Sequence, residues 1–350
     1  MKFITGIANH HTVSASPDVR TTWRGNIRND FTGNPLTHTE LGYNFSGTTA
    51  GIESKSVNFD NGLPMDQTLT SFSAVLRQTK YDFPVGAGNA VILKDSTENH
   101  SIAYVESSYG SSGHSARARV FVFDELVHSY YSGPEQVHRW DIEMTIDGTQ
   151  LLSYKVYMDK VLQASGTKQL TVEQATCMPD HLLHRCTSYL STSYGRSGVY
   201  SGFAVQGETS LNKDVMAVEL GTDGSFSDFI GNVTDINDTT LPPTAQGVTT
   251  SVAGSVSTFN TKAIPQDQID FHGVRAVGMS SIASASLDVP NLRHVVSDGV
   301  TVENLGESRD VTLGDGGTCY GGVLYSNPFT GVDFTMQEVN DLEFGFKAEV

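Results

Sequence analysis

The chain has 350 residues, 38% of them hydrophobic and only 17% charged, with 34 glycines and a formal charge of −17 at pH 7. That length exceeds what one core usually supports and points to two domains. Abundant Gly, Ser and Thr point to an all-β protein rich in turns and poor in helix formers. The acidity argues against nucleic acid as a partner, because phosphate binding needs clustered Lys and Arg and the longest basic cluster is Arg117-Ala118-Arg119.

Nowhere do 18 apolar residues follow one another, so no membrane insertion is expected. The first residues, MKFITGIANHHTVSAS, lack the apolar run of a secretory signal, which predicts synthesis in a cytoplasm without export. Cys177, Cys186 and Cys319 are odd in number and irregularly spaced, which is not a disulfide framework. A Cys177–Cys186 bridge is compatible with the sequence, but reduced thiols suit a cytosolic origin better.

In chain order, residues 1–30 are irregular, with strand-like ends at Phe3-Ile4 and 19–23. Strand candidates follow at 42–45, 55–59, 69–77, 90–94, 102–106 and 117–123, separated by Gly-, Asn- and Ser-rich turns such as Asp60-Asn61-Gly62 and Ser111-Ser112-Gly113. Strands spaced in this way predict a sandwich or barrel. The stretch 137–162, VHRWDIEMTIDGTQLLSYKVYMDKVL, predicts two antiparallel strands joined near Asp147-Gly148. Trp140, Ile142, Met144 and Ile146 alternate with Arg139, Asp141, Glu143 and Thr145; Tyr154, Val156 and Met158 alternate with Lys155, Tyr157 and Asp159. A loop at Ser165-Gly166-Thr167, a less regular stretch at 171–187, and strands near Tyr189 and at 199–205 and 215–220 come next. Residues 221–258 are full of Gly, Ser, Thr and Asp with Pro242-Pro243 inside, which places a linker at 237–245. Further strands are expected at 269–279, 294–301, 311–313 and 319–326. Thr335-Met336-Gln337-Glu338 is a capping box opening a helix of a turn or two, and Phe344, Phe346 and Ala348 alternate with charged residues and Gly345 in a closing strand.

Val156-Tyr157-Met158-Asp159-Lys160-Val161 resembles the "vYvDGv" hairpin of laminin-G-like and concanavalin-A-like jelly rolls, with Trp140 in the preceding strand. Residues 214–241 and 327–347, the latter NPFTGVDFTMQEVNDLEFGFK, resemble patterns that recur in structural proteins of tailed bacteriophages, the second being "dP.TGa.WT.adVnalefGvkvv". Lys160 stands where that hairpin has Gly, Phe334 where the phage motif has Trp, and Asp214-Val215 where it has a pair of aspartates. The resemblance implies an all-β virion protein, tail, tail-tip or fibre-associated: an antiparallel jelly-roll sandwich over 1–236, the linker at 237–245, and a smaller β domain over 246–350. It also implies other virion proteins as partners, homo-oligomerisation, and residence in the virion after synthesis in the host cytoplasm. Two alternatives are a module that recognises host-surface carbohydrate and a capsid decoration protein.

The chemistry-bearing residues form no strong constellation. Cys177, His181, His184 and Cys186 offer zinc-type ligands, but in no recognised spacing and from one short segment expected to be a loop or short helix. Asn9-His10-His11 read as an N-terminal arm. Asp223, Asp228, Asp235 and Asp238 offer oxygens for calcium without the ligand order of an EF-hand. Asp141 and Glu143 could in principle serve glycoside hydrolysis, yet strand alternation alone puts carboxylates on a solvated face. Tyr104, Tyr109, Tyr130, Tyr131 and Trp23 are candidates to stack on sugars. No Gly-x-Ser-x-Gly and no Gly-rich phosphate loop occurs. The expectation is a protein that is not an enzyme, with no catalytic residues, no cofactor and no metal.

Overall fold

The computed structural model describes residues 2–7, 37–39, 42–45, 49–55, 71–79, 88–95, 100–109, 116–132, 137–177, 179, 181–187, 196–197, 200–213, 218, 220–236, 247–264, 266, 273–283, 289–311 and 319–350. They build an all-β protein of antiparallel sheets. The chain divides into two compact units, one holding Asp66–Met216 and the other Ala217–Val350. This division falls ahead of 237–245, which lies outside the described residues.

The first unit is a jelly-roll sandwich. One six-stranded sheet runs, in spatial order, β1 (Lys2–Ile7), β15 (Tyr200–Gln206), β5 (Ser71–Thr79), β10 (Val137–Ile146), β11 (Leu151–Met158) and β12 (Val161–Gln169). The other runs β4 (Thr49–Lys55), β13 (His181–Thr187), β6 (Gly88–Lys94), β7 (Ser101–Tyr109), β8 (Ala116–Val122) and β9 (Glu125–Ser132). A small third sheet joins β14 (Arg196–Ser197), β3 (Gly42–Phe45) and β2 (Thr37–Thr39). The alternation in 137–158 gives the register: Trp140 lies opposite Met158 and Leu76, Ile142 opposite Val156 and Ala74. Trp140, Ile142, Met144, Leu152, Val156, Leu76, Leu93, Val105 and Val120 are buried as the core, whereas Met158 is only half-buried.

Three elements depart from expectation. The segment at 165–167 is the middle of strand β12, not a loop. Gly166 is there because Tyr154 of β11 lies across it: a Cβ at Gly166 would sit 2.5 Å from the tyrosine oxygen. Strand β9, which sequence patterning did not single out, pairs with β8 through a tight turn in which Phe123 and Asp124 both have positive φ. Within the irregular 171–187 stretch, Thr171 and Gln174 form a second capping box opening α1 (Val172–Thr176), and β13 follows.

The second unit holds β16 (Leu220–Ser227), β17 (Val256–Thr261), β23 (Glu343–Glu349), β19 (Asn291–Ser297) and β20 (Val302–Asn304) in that order, with β21 (Arg309–Asp310) on β19. Strands β18 (Val277–Ile282) and β22 (Cys319–Leu324) pair separately. The glycine- and aspartate-rich 220–236, just ahead of the expected linker, is a strand and a helical turn, α2 (Val233–Ile236). It is held by Glu343, whose carboxylate accepts from Ser225 N, Ser225 Oγ and Thr258 Oγ1. The final strand β23 is not at an edge: it lies between β17 and β19, with Phe344, Phe346 and Ala348 buried beside Phe259, Val295 and Val296.

The phage-like motif at 327–347 has an architectural task at each distinctive position. Asn327 is buried; its side chain donates to Glu338 and accepts from Phe329 N. Gly331 takes φ +73. Phe334 is buried, and Thr335 and Glu338 complete the reciprocal cap of α3 (Met336–Asp341), which leads into β23.

Candidate functional site

Alternation suggested that both carboxylates of β10 face solvent; Glu143 is half-buried, and Asp141 is not on a solvated face at all. Asp141 is 0% exposed. Arg139 binds it through two hydrogen bonds of 2.8 Å, and Ser210 Oγ donates to it at 2.8 Å. Arg139 also donates to the Ser210 carbonyl at 2.6 Å, and Ser210 N donates to Ser73 Oγ. Segment 207–213 thus crosses the outer face of the first sheet as a strap, beside a small apolar cluster of Val75, Phe203 and Val205. Glu143 accepts from Tyr157 OH and Thr209 Oγ1. Both carboxylates are engaged in holding the strap. Strand alternation could give their face but not what covers it, because the strap comes from about 70 residues further along the chain.

Other candidate ligands are similarly occupied or dispersed. His181, His184 and Cys186 lie on strand β13, where a loop or short helix was expected. At about 3.3 Å per residue, positions 181 and 186 are roughly 16 Å apart, beyond the reach of one zinc ion with bonds of about 2 Å. Cys177 Sγ lies 3.0 Å from Gln174 O. Asp223 and Asp235 accept from the adjacent backbone N–H groups of Val233 and Asn232 at the start of α2, and Asp228 accepts from that of Val256. Among the described residues no three His, Cys, Asp or Glu side chains gather as a metal site. Asn9-His10-His11, Trp23 and Asp238 lie outside the described residues, as do the side chains of Tyr109 and Tyr131.

Two of the aromatic candidates sit in defined surroundings. Tyr104 stacks on Phe121, centroids 4.5 Å apart and 12° from parallel, on the outer face of the second sheet. Arg119 lies over the other ring and donates to Glu106 at 2.6 Å. Burial, with the charges of Asp124 and Glu106, pushes the Tyr104 phenol up to about 12. That ring pair is half-buried and spent on its own neighbours.

Tyr130 differs. It and His128, alternate residues of β9, face His138 and Trp140, alternate residues of β10, across the gap between the sheets. The Trp140 centroid is 5.8 Å from His128, 6.4 Å from His138 and 6.5 Å from Tyr130, and Tyr130 meets His138 edge-on at 5.2 Å. His138 Nδ1 lies 2.7 Å from Asp159 Oδ2, and Asp159 is fixed in turn by the N–H and carbonyl of Arg139. A carboxylate only accepts, so Nδ1 carries a proton, and in the neutral ring Nε2 presents a lone pair. The Nε2 atoms of both His138 and His128 are buried, with no hydrogen-bond partner among the described residues. Each such atom costs about 1–3 kcal/mol while unsatisfied. Burial also lowers the pKa of His128. Sequence reading named Tyr130 but neither histidine; their shared parity with Trp140 was the signal available.

No family model matches the chain, and no curated protein matches it. Among solved structures, the CBM2 module of the evolved Dit of Lactobacillus casei BL23 phage J-1 is 11% identical, covering 58% of this chain and 95% of its own, with a TM-score of 0.37. Domain 4 of AbnA, a GH43 arabinanase of Geobacillus stearothermophilus solved with arabinotriose, is 14% identical over 60% and 95% of the two chains, with a TM-score of 0.32. The carbohydrate-binding module CBM66 of Bacillus subtilis is 10% identical over 53% and 94%, with a TM-score of 0.25. At such scores these likenesses carry no argument about what this chain does.

Proposed function

We propose that the chain is a non-catalytic structural component of a tailed-bacteriophage particle, associated with the tail, tail tip or fibre. The observation that carries this reading is the motif at 327–347. Its match to the phage pattern is long: the matching Thr335 opens the cap of α3, and the matching Glu343-Phe344-Gly345 lies in the central strand β23. A sequence match of that length is a stronger link than a hairpin found in many unrelated jelly rolls. The test is electron microscopy of particles carrying a labelled copy of the protein. Label at the tail supports the reading; label on the capsid shell favours a decoration protein; no label on particles overturns both.

A second reading is a carbohydrate-recognising module of the same tail. It is favoured by the half-buried rings of Tyr130 and His138 and by imidazole nitrogens that have no hydrogen-bond partner among the described residues. Binding to immobilised host-surface oligosaccharides tests it; a wild-type protein that captures none of them excludes it.

A further inference from the structure

We infer that β12 is a docking edge for a second copy of this chain: two copies pair their β12 strands antiparallel about a two-fold axis at Thr167, joining their first sheets into one. The inference goes beyond the virion reading and does not depend on it.

Strand β12 is the last of its sheet and, among the described residues, pairs only with β11. Leu170 N donates to Gln150 O, while Leu151 spends both its N–H and its C=O on Asp147. Bonded pairs alternate along an antiparallel ladder, so Lys168, Gly166 and Ala164 bond across to Leu152, Tyr154 and Val156. Ser165, Thr167 and Gln169 therefore point their N–H and C=O groups away from β11. These three residues are exposed, and their backbone groups have no hydrogen-bond partner among the described residues. Natural edges are often blunted by proline or by outward charge. Strand β12 has no proline, and its one charge, Lys168, turns to Phe123 O and Glu125 of the other sheet.

The strand's own residues match a second copy. Its start is unfit for pairing, because a bulge falls at Gln163, whose side chain already takes the Val161 carbonyl. The open run is thus 165–169, centred on Thr167. A two-fold axis there sets Thr167 against Thr167, Ser165 against Gln169 and Lys168 against Gly166, so no like charges meet. Carried outward, the same register brings Leu162 of one copy towards Val172 of the other, and Lys160 towards Glu173. All four of these residues are exposed. Leu126, Val161, Leu162 and Val172 are the exposed large apolar side chains among the described residues of the first unit. They sit on β12, on the helix that follows it, or on β9, which Lys168 ties to β12 through Glu125. Self-association of a chain with a formal charge of −17 needs a face short of carboxylates, and 151–170 holds three lysines against one aspartate. A strand of another protein would find the same backbone groups without this matched set of charges and apolar side chains.

The experiment uses the full chain. Sedimentation velocity across a dilution series should show a wild-type dimer that dissociates on dilution. Thr167→Lys sets two ammonium groups face to face at the axis, and Thr167→Pro removes an outward N–H that β11 does not use. Each should weaken the dimer about tenfold or more with an unchanged circular dichroism spectrum. Lys160→Glu should weaken it by a smaller factor, and adding Glu173→Lys should restore it. Within one copy these two residues lie roughly 30 Å apart along β12, so such a rescue acts only between copies. Where Thr167→Pro unfolds the chain, Thr167→Lys and the charge reversal decide. A wild-type protein that stays monomeric up to about 100 μM overturns the inference. So does a dimer that neither the Thr167 variants nor the charge reversal alters, since its interface then lies elsewhere. Trimers or larger rings that the Thr167 variants disrupt would mean that the edge pairs with a different strand of the next copy, and would overturn the two-fold pairing.

Discussion

Asp141 is fully buried, with Arg139, at 12% side-chain exposure, as its charged partner. Removing one member of such a pair strands the other in a poorly solvated place, whereas replacing both by apolar groups of similar size is often tolerated. Asp141→Asn should therefore cost about 3–5 kcal/mol, and Arg139→Met with Asp141→Leu should cost less than the single change; chemical denaturation of the three proteins measures it. Trp140→Ala should cost roughly 3–5 kcal/mol as a large core deletion. The titrating residues set two pH windows. Burial lowers the pKa of His128, so as pH falls through about 6.5 the unfolded chain takes up this proton first and stability declines. His128→Gln should flatten that decline, seen by comparing denaturation midpoints near about pH 7.5 and about pH 5.5. The carboxylates of Asp147 and Asp298 are held below their ordinary range, Asp147 chiefly by the Thr149 hydroxyl and Asp298 by the Thr301 N–H. Their stabilisation is present above about pH 4 and is lost as pH falls through the lowered values.

Among the elements, the β11–β12 turn shows how far local chemistry is legible. Its first flank was readable from the alternation of Tyr154, Val156 and Met158, but Asp159 and Lys160 adopt φ +50 and +69 without a glycine. This is the two-residue hairpin geometry that favours Asn-Gly or Asp-Gly. Lys160→Gly should relieve the left-handed strain and raise stability by about 1 kcal/mol, measured as a shift in thermal or denaturant midpoint. Strand β12 itself was illegible, because Ala164-Ser165-Gly166-Thr167 has no strand periodicity; pairing with β11 and the cover of Tyr154 make it a strand. Likewise Gly221-Thr222-Asp223-Gly224 has a turn-like composition, and its strand takes shape where Glu343, about 120 residues later, supplies the acceptor for Ser225. The C-terminal cap was legible because its two residues are three apart and satisfy each other. Thr335→Ala should cost about 1 kcal/mol, and Gly345→Ala far more, since a Cβ there would run into the Ser257 carbonyl oxygen.

Across the whole molecule, composition made the all-β class legible, as a chain poor in helix formers and dense in turn residues. It could not give strand order, because β15, β5 and β10, neighbours in one sheet, are far apart in sequence. The same topology makes the chain's last residues structural. Because β23 sits between β17 and β19, truncation after Asn340 removes the middle of a sheet and not a tail. The truncated protein should lose the protected amides of β17 and β19 in hydrogen exchange and should not enter particles. Wild-type protection would contradict the central placement.

The strap at 207–213 has a mechanical meaning as well. Chain leaving the sandwich at β15 is fastened at once, through Ser210, to Asp141, Arg139 and Ser73 on two interior strands. Tension arriving along the backbone from beyond Lys213 meets this fastening before it reaches the ladder between β15 and β5. The load is then shared by several bonds at the same moment, and β15 is spared from being unzipped one pair at a time. A protein that must stay folded while its neighbours pull on it gains endurance from one buried aspartate.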